Sequence, residues 1–473
     1  MIKIHNRKLE SVFLLLFFSS ISLITIVILL IDFNKPSYYN FLFLLPATFI
    51  LVSWICFDVY KVIPQNIGIS IVVVLFFIRN VISPLIMTFG DYSSTIQENI
   101  EQNSIDAIIL VAYETVCVFV LMSYCVHNAL ILENNNERIY VLDDISKRKY
   151  VFLVLFIIFG IVLCYSISPQ LMLNYRSITQ IGDEHFTNYE DTYITEKYGV
   201  TFTSKFALVV GNYLMRAALI IVPATLMILM YEKNKYSKFS KICSYLFCCI
   251  PFFFIGGAIA RSLIYFFCLL ILRCFLYDKK SISKCIVVAS IISLVIMILW
   301  WFYRLSLNSS VNFKSFSDRF SSYFSGVNIV SGVFNLPRNL DLRIKFFTYD
   351  YLTTLPFGNT IFGTGDDITI QPFFNQYNYS YGQIPTTIGM GYYYFGYILS
   401  PLYSLLFTSL AFSYGEKIRT RSFHGPFQFI RLMYGVFVYS MGIVMYNVEI
   451  TMINTFCIII PMIIMEKIAY DKK

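Results

Sequence analysis

Arg261 directly follows the short, flexible run Gly256-Gly257-Ala258-Ile259-Ala260 and opens the apolar run Ser262-Leu263-Ile264-Tyr265-Phe266-Phe267. A helix starting there would bring unbonded backbone N–H groups, the positive end of a helix dipole and a guanidinium fork to one point, which suits a phosphate. The dipole alone disfavours an arginine at that end. A cation snorkelling toward lipid headgroups is the structural alternative. Arg216 lies about eleven residues into the run beginning near Lys205, roughly 16 Å along a helix. A charge at such depth in a membrane marks a pathway or a partner. Arg79 and Glu114 are equally deep in their own runs and are expected to pair with each other.

Two polar stretches hold the remaining candidates. Residues 168–205 supply Arg176, Asp183, Glu184, His185, Glu190, Asp191 and Glu196, with His185 as a candidate general base. Residues 304–388 combine cations (Arg304, Lys314, Arg319, Arg338, Arg343, Lys345) with Asp350, Asp366 and Asp367. They also carry aromatic residues from Phe346 to Tyr381. Aromatic faces stack on sugars, carboxylates and amides bind hydroxyls, and guanidinium groups grip phosphate, so this stretch could hold a phosphorylated glycan. With 36 tyrosines and 46 phenylalanines in the chain, the aromatic residues are weak evidence taken alone.

The elements that must position these residues are apolar runs of the length that crosses a hydrocarbon core, in a chain that is 57% hydrophobic and 14% charged. Twelve spans are expected, at 11–31, 40–59, 67–90, 105–132, 150–167, 206–230, 242–258, 261–277, 285–303, 389–412, 429–446 and 450–466. Only helices satisfy the backbone of runs this apolar. The fold class is therefore an all-α polytopic membrane protein: residues 1–473 form a single integral membrane domain with a large, partly helical loop. Lysine and arginine crowd the N-terminus, 133–149, 232–241, 278–284, 413–425 and the C-terminus, which places those gaps and both termini in the cytoplasm. The loops 168–205 and 304–388 are then extracytoplasmic. A turn near Gly256-Gly257 keeps Lys279 and Lys280 on the cytoplasmic side and sets Arg261 at the outer face.

The net charge of +8 is spent on orientation, so nucleic-acid binding is not expected. All eleven cysteines fall in or at the ends of the apolar runs and read as packing residues. The basic start followed by an apolar run has no small-residue cleavage site before Asp32 and reads as the first span. The halves show no repeat of the kind that builds many transporters. No HExxH, GxSxG, P-loop or dinucleotide-binding glycine pattern occurs, so zinc, nucleotide and triad chemistry find no support.

Three stretches resemble one family. These are Gly256-Gly257 with Arg261, then Tyr323-Phe324-Ser325-Gly326, then Gly382-Gln383-Ile384-Pro385-Thr386-Thr387-Ile388-Gly389 running into Tyr392-Tyr393-Tyr394-Phe395-Gly396. Together with the architecture they resemble the bacterial O-antigen and capsular polysaccharide polymerases of the Wzy type. The resemblance implies a GT-C-like glycosyltransferase of the bacterial inner membrane, without cofactor or required metal. It would act on undecaprenyl-diphosphate-linked oligosaccharide amid membrane lipid, with a chain-length regulator protein as a partner. It further implies Arg261 against the diphosphate, with Arg216, Arg319, Arg338, Arg343, Arg176, Gln383 and Tyr392 as substrate contacts and Asp350 or His185 as base. Met390 after Gly389 departs from the commoner Gly-Glu-x-Tyr form and leaves no carboxylate there. The rival readings are a flippase for lipid-linked oligosaccharide and an O-antigen ligase. A flippase would need charges lining a cavity across several spans. A ligase commonly carries an outer histidine followed by an acidic-glycine element, which is missing.

Overall fold

The computed structural model describes residues 2–63, 65–94, 100–133, 147–169, 175–176, 202–233, 237–256, 259–278, 313–324, 326–355, 358–362, 369–380, 383–420 and 425–469. In chain order the helices are α1 (Ile2–Ile31), α2 (Leu44–Ile55), α3 (Phe57–Val62), α4 (Ile67–Phe77), α5 (Ser83–Phe89), α6 (Ile100–Glu133) and α7 (Lys147–Ile167). They continue with α8 (Phe202–Lys233), α9 (Lys238–Cys249), α10 (Ile259–Arg273), α11 (Phe313–Tyr323), α12 (Val327–Phe334), α13 (Leu340–Thr354) and α14 (Gly358–Phe362). Last come α15 (Ile370–Tyr377), α16 (Thr387–Phe395), α17 (Leu402–Arg419), α18 (Pro426–Val444), α19 (Val448–Asn454) and α20 (Ile460–Ala469). A two-stranded bridge, β1 (Tyr175–Arg176) against β2 (Ile255–Gly256), joins them.

Among the described residues seven helical segments are long and apolar enough to cross a membrane: Leu9–Ile31, Ser37–Ile55, Ile67–Phe89, Gln102–Ala129, Phe206–Lys233, Pro426–Val444 and Val448–Lys467. Val154–Ile167 is a shorter apolar helix. The protein is thus all-helical in its main elements and of transmembrane character. The expected span 242–258 is not one helix: α9 stops at Cys249, a 3-10 turn covers Ile250–Phe252, and the chain enters β2. Pro251, which lacks an N–H and cannot continue a helical ladder, sits at that stop. The following run splits into α10 and a π turn at Cys274–Asp278 and is not among the seven. The expected span 389–412 breaks into α16 and α17 at Gly396, whose φ of +85° is a conformation that favours glycine. The span 285–303 lies outside the described residues.

The chain divides into two compact units. Unit 1 comprises Met1–Ile139, Ser310–Ser422 and Gly435–Ile453, and unit 2 comprises Tyr140–Ser309, Phe423–Tyr434 and Asn454–Lys473. In unit 1, α4 and α17 approach closely, because a Cβ on Gly68 would lie 2.2 Å from the carbonyl oxygen of Ala411. Arg79 and Glu114, both fully buried, form an ion pair at 2.6 Å, as expected from their depth. Ser404 Oγ donates to Glu114 Oε1, which ties α17 to α6. Arg79 sits in a π turn, Ile78–Ile82, that interrupts the helical run between α4 and α5.

Candidate functional site

In unit 2 the two arginines singled out by position both lie near Cys457. Arg216 is on α8, and Arg261 is in the first turn of α10, where the dipole end and the unbonded N–H groups are. Both guanidinium groups lie within electrostatic range of Cys457, which also bonds with Tyr213 one turn before Arg216. The two arginines are half-buried and make further interactions of their own. The β1–β2 bridge pairs Arg176 along the backbone with Ile255, which precedes Arg261 in the chain. Guanidinium groups of this kind suit a phosphoryl group through two-pronged hydrogen bonds.

In unit 1 a second cluster gathers around α16. Arg338 Nη2 donates to the carbonyl of Tyr392 at 3.0 Å, and its guanidinium lies 4.2 Å from the centre of that tyrosine ring. Arg343 Nη2 donates to the carbonyl of Tyr394. The two cations thus sit at the negative end of a short helix, Arg338 sharing the Tyr392 carbonyl with the Gly396 N–H. The Nε atom of each arginine is buried without a hydrogen-bond partner.

Asp350 is fixed between elements. Its Oδ1 accepts the N–H of Ile370, the first residue of α15, at 3.0 Å, and its Oδ2 accepts the Tyr394 hydroxyl. Burial pushes its carboxyl up to about 7, and the two hydrogen bonds offset part of that rise. Glu449 shares a crevice with Asp350, Tyr351, Tyr394, Tyr403 and Met390, with no room for a water molecule. The Tyr351 hydroxyl donates to that of Tyr403 at 2.7 Å. In this arrangement Asp350 holds α13, α15 and α16 together, and its carboxyl stores a proton near neutrality rather than facing open space.

Gln383 is held through its backbone: its N–H donates to Asn375 Oδ1 and its carbonyl accepts from Asn375 Nδ2, both at 2.9 Å. Thr386 caps α16 by accepting the N–H of Gly389 at 2.9 Å. Within the Gly389-Met390-Gly391 stretch, a Cβ on Gly391 would stand 2.0 Å from the Ser400 carbonyl oxygen, so close packing explains that glycine. Arg319 is exposed on α11. His185, Asp366 and Asp367 fall outside the described residues.

The structure therefore groups Arg338, Arg343, Asp350 and Tyr392 in unit 1 and Arg216 with Arg261 in unit 2. Glu449, Tyr213 and Cys457 went unnoticed in the sequence. The signal for Tyr213 was its i, i+3 spacing to Arg216 inside an apolar helix. Glu449 was hidden because a single acid at the head of an apolar run reads as a helix-start residue. No protein-family model matches the chain, and neither a curated protein nor a solved structure is significantly similar to it. What fold and site define is a polytopic helical membrane protein with arginines gathered among apolar helices.

Proposed function

We propose that this protein is a polysaccharide polymerase of the bacterial inner membrane. It transfers a glycan from an undecaprenyl-diphosphate carrier onto a lipid-linked repeat unit at the outer leaflet, for O-antigen or capsule. The observation that carries this reading is that Arg216 and Arg261, from two helices, both lie within electrostatic range of Cys457. The bond from the anomeric carbon to the diphosphate oxygen breaks, and the acceptor hydroxyl oxygen takes its place on that carbon. The electron pair leaves with the diphosphate, whose growing negative charge the two fixed guanidinium groups stabilise. The hydroxyl proton passes to a base, for which His185 is the candidate. The GT-C-like arrangement of spans and the cytoplasmic placement of both termini are parts of the same proposal.

The test is a cell carrying Arg261→Ala or Arg216→Ala in place of the native gene. Removing one fixed charge-stabilising group costs roughly 100-fold or more in turnover, so the glycan ladder collapses to single repeats while protein level holds. A ladder of native length in Arg261→Ala would refute the assignment. Loss of even the single repeat would instead favour a flippase.

A further inference from the structure

Helix α13 carries two faces. One, with Phe346, Asp350, Thr353 and Thr354, is buried in unit 1. The other carries an open apolar strip, with Leu340 65% exposed, Ile344 57% and Phe347 36% at spacing i, i+4, i+7, bordered by exposed Asp341 and Thr348. A helix face turned to water would carry polar residues there. The open face also leads somewhere. The Phe347 ring packs 5.8 Å from that of Phe395, and just beyond Phe395 the chain exposes Ile398 (79%) and Leu399 (56%).

The carbonyl of Ile398 accepts the Tyr113 hydroxyl at 3.0 Å, and the rings of Tyr113 and Tyr397 stack at 6.3 Å. Tyr113 belongs to α6, one of the candidate spans. On α6 the exposed residues Ile105, Ile109, Val116 and Val120 follow one side of the helix, the flank a membrane-crossing helix turns to acyl chains. The open face of α13 is thus continuous with a lipid-facing flank. Its depth is bracketed on the same helix. Exposed Asp106 marks a level the hydrocarbon does not reach, and Tyr113 lies seven residues deeper, roughly 10 Å. Lys345 flanks the open face, as basic residues do at the headgroup level.

We propose that α13 is an interfacial helix: its Leu340–Ile344–Phe347 face inserts at the acyl-chain boundary of one leaflet, with Lys345 beside the lipid phosphates. The occupant of this face is lipid, and the inference stands whether or not the chain transfers glycans. The test uses the full chain in nanodiscs of phosphatidylcholine and phosphatidylglycerol, with and without bromine near the glycerol end of the acyl chains. Ile344→Trp is compared with its parent, so the emission of the three native tryptophans is subtracted. Leu340→Trp, at a second exposed position, serves as the repeat. Brominated lipid is expected to remove most of the added emission. If bromine spares it while aqueous iodide removes it, the face meets water and the proposal fails. If neither quencher reaches it, protein covers the face, a second copy of the chain included, and the proposal fails equally.

Discussion

At the scale of single residues, the carboxyl of Asp350 gives a sharp expectation. Its folded value of about 7 lies above the ordinary 3.8, so between those values the folded chain binds more protons than the unfolded one. Stability therefore falls as pH rises through that window and levels off above about 7. Asp350→Asn keeps an acceptor for the Ile370 N–H and removes the titration. The melting temperature of the detergent-solubilised variant should vary less with pH between the same limits than that of the parent. Equal slopes would mean that the carboxyl is not held protonated. The Arg79–Glu114 pair gives a second expectation. Replacing one partner strands a buried charge at about 3–5 kcal/mol, whereas replacing both is close to neutral. Arg79→Met should thus lose folded protein that Arg79→Met with Glu114→Leu recovers, read by thermal melting and detergent-resistant yield.

At the scale of elements, apolar run length predicted the helices that are uninterrupted and missed the places where the backbone is turned. Runs 11–31, 67–90 and 206–230 each became helical spans, and Pro223 inside the third removes one N–H from the ladder without ending it. The π turn at Ile78–Ile82 left the second of these intact. Run 389–412 read as one span because its apolar content is continuous, yet Gly396 adopts a positive φ and the chain turns before Leu402. Apolar content measures burial, and it does not register a reversal carried by one residue's torsion. Of the candidate site, Arg216 and Arg261 were legible from depth and from position in a run. The grouping of Arg338, Arg343 and Asp350 around α16 was not, since it depends on the packing of short helices far apart in sequence. The same turn yields a prediction. Gly391→Ala drives a methyl into the Ser400 carbonyl, and overpacking of this kind costs about 1–3 kcal/mol. The variant should melt several degrees lower, and an unchanged melting temperature would show that α16 and the following turn separate freely.

At the scale of the whole molecule, the long polar stretches and the arginines set among apolar helices agree with a protein that works on a charged lipid carrier at a membrane face. The proposed transfer needs no energy source beyond the diphosphate linkage it would break, so it can be rebuilt from few parts. Purified protein in liposomes, given lipid-diphosphate-linked repeat units of the native glycan and no nucleotide sugar, is the most direct measurement. The account predicts a ladder of products with two and more repeats from the parent chain, and single repeats only from Arg261→Ala at equal protein. A ladder from Arg261→Ala that grows as fast as the parental one would contradict it.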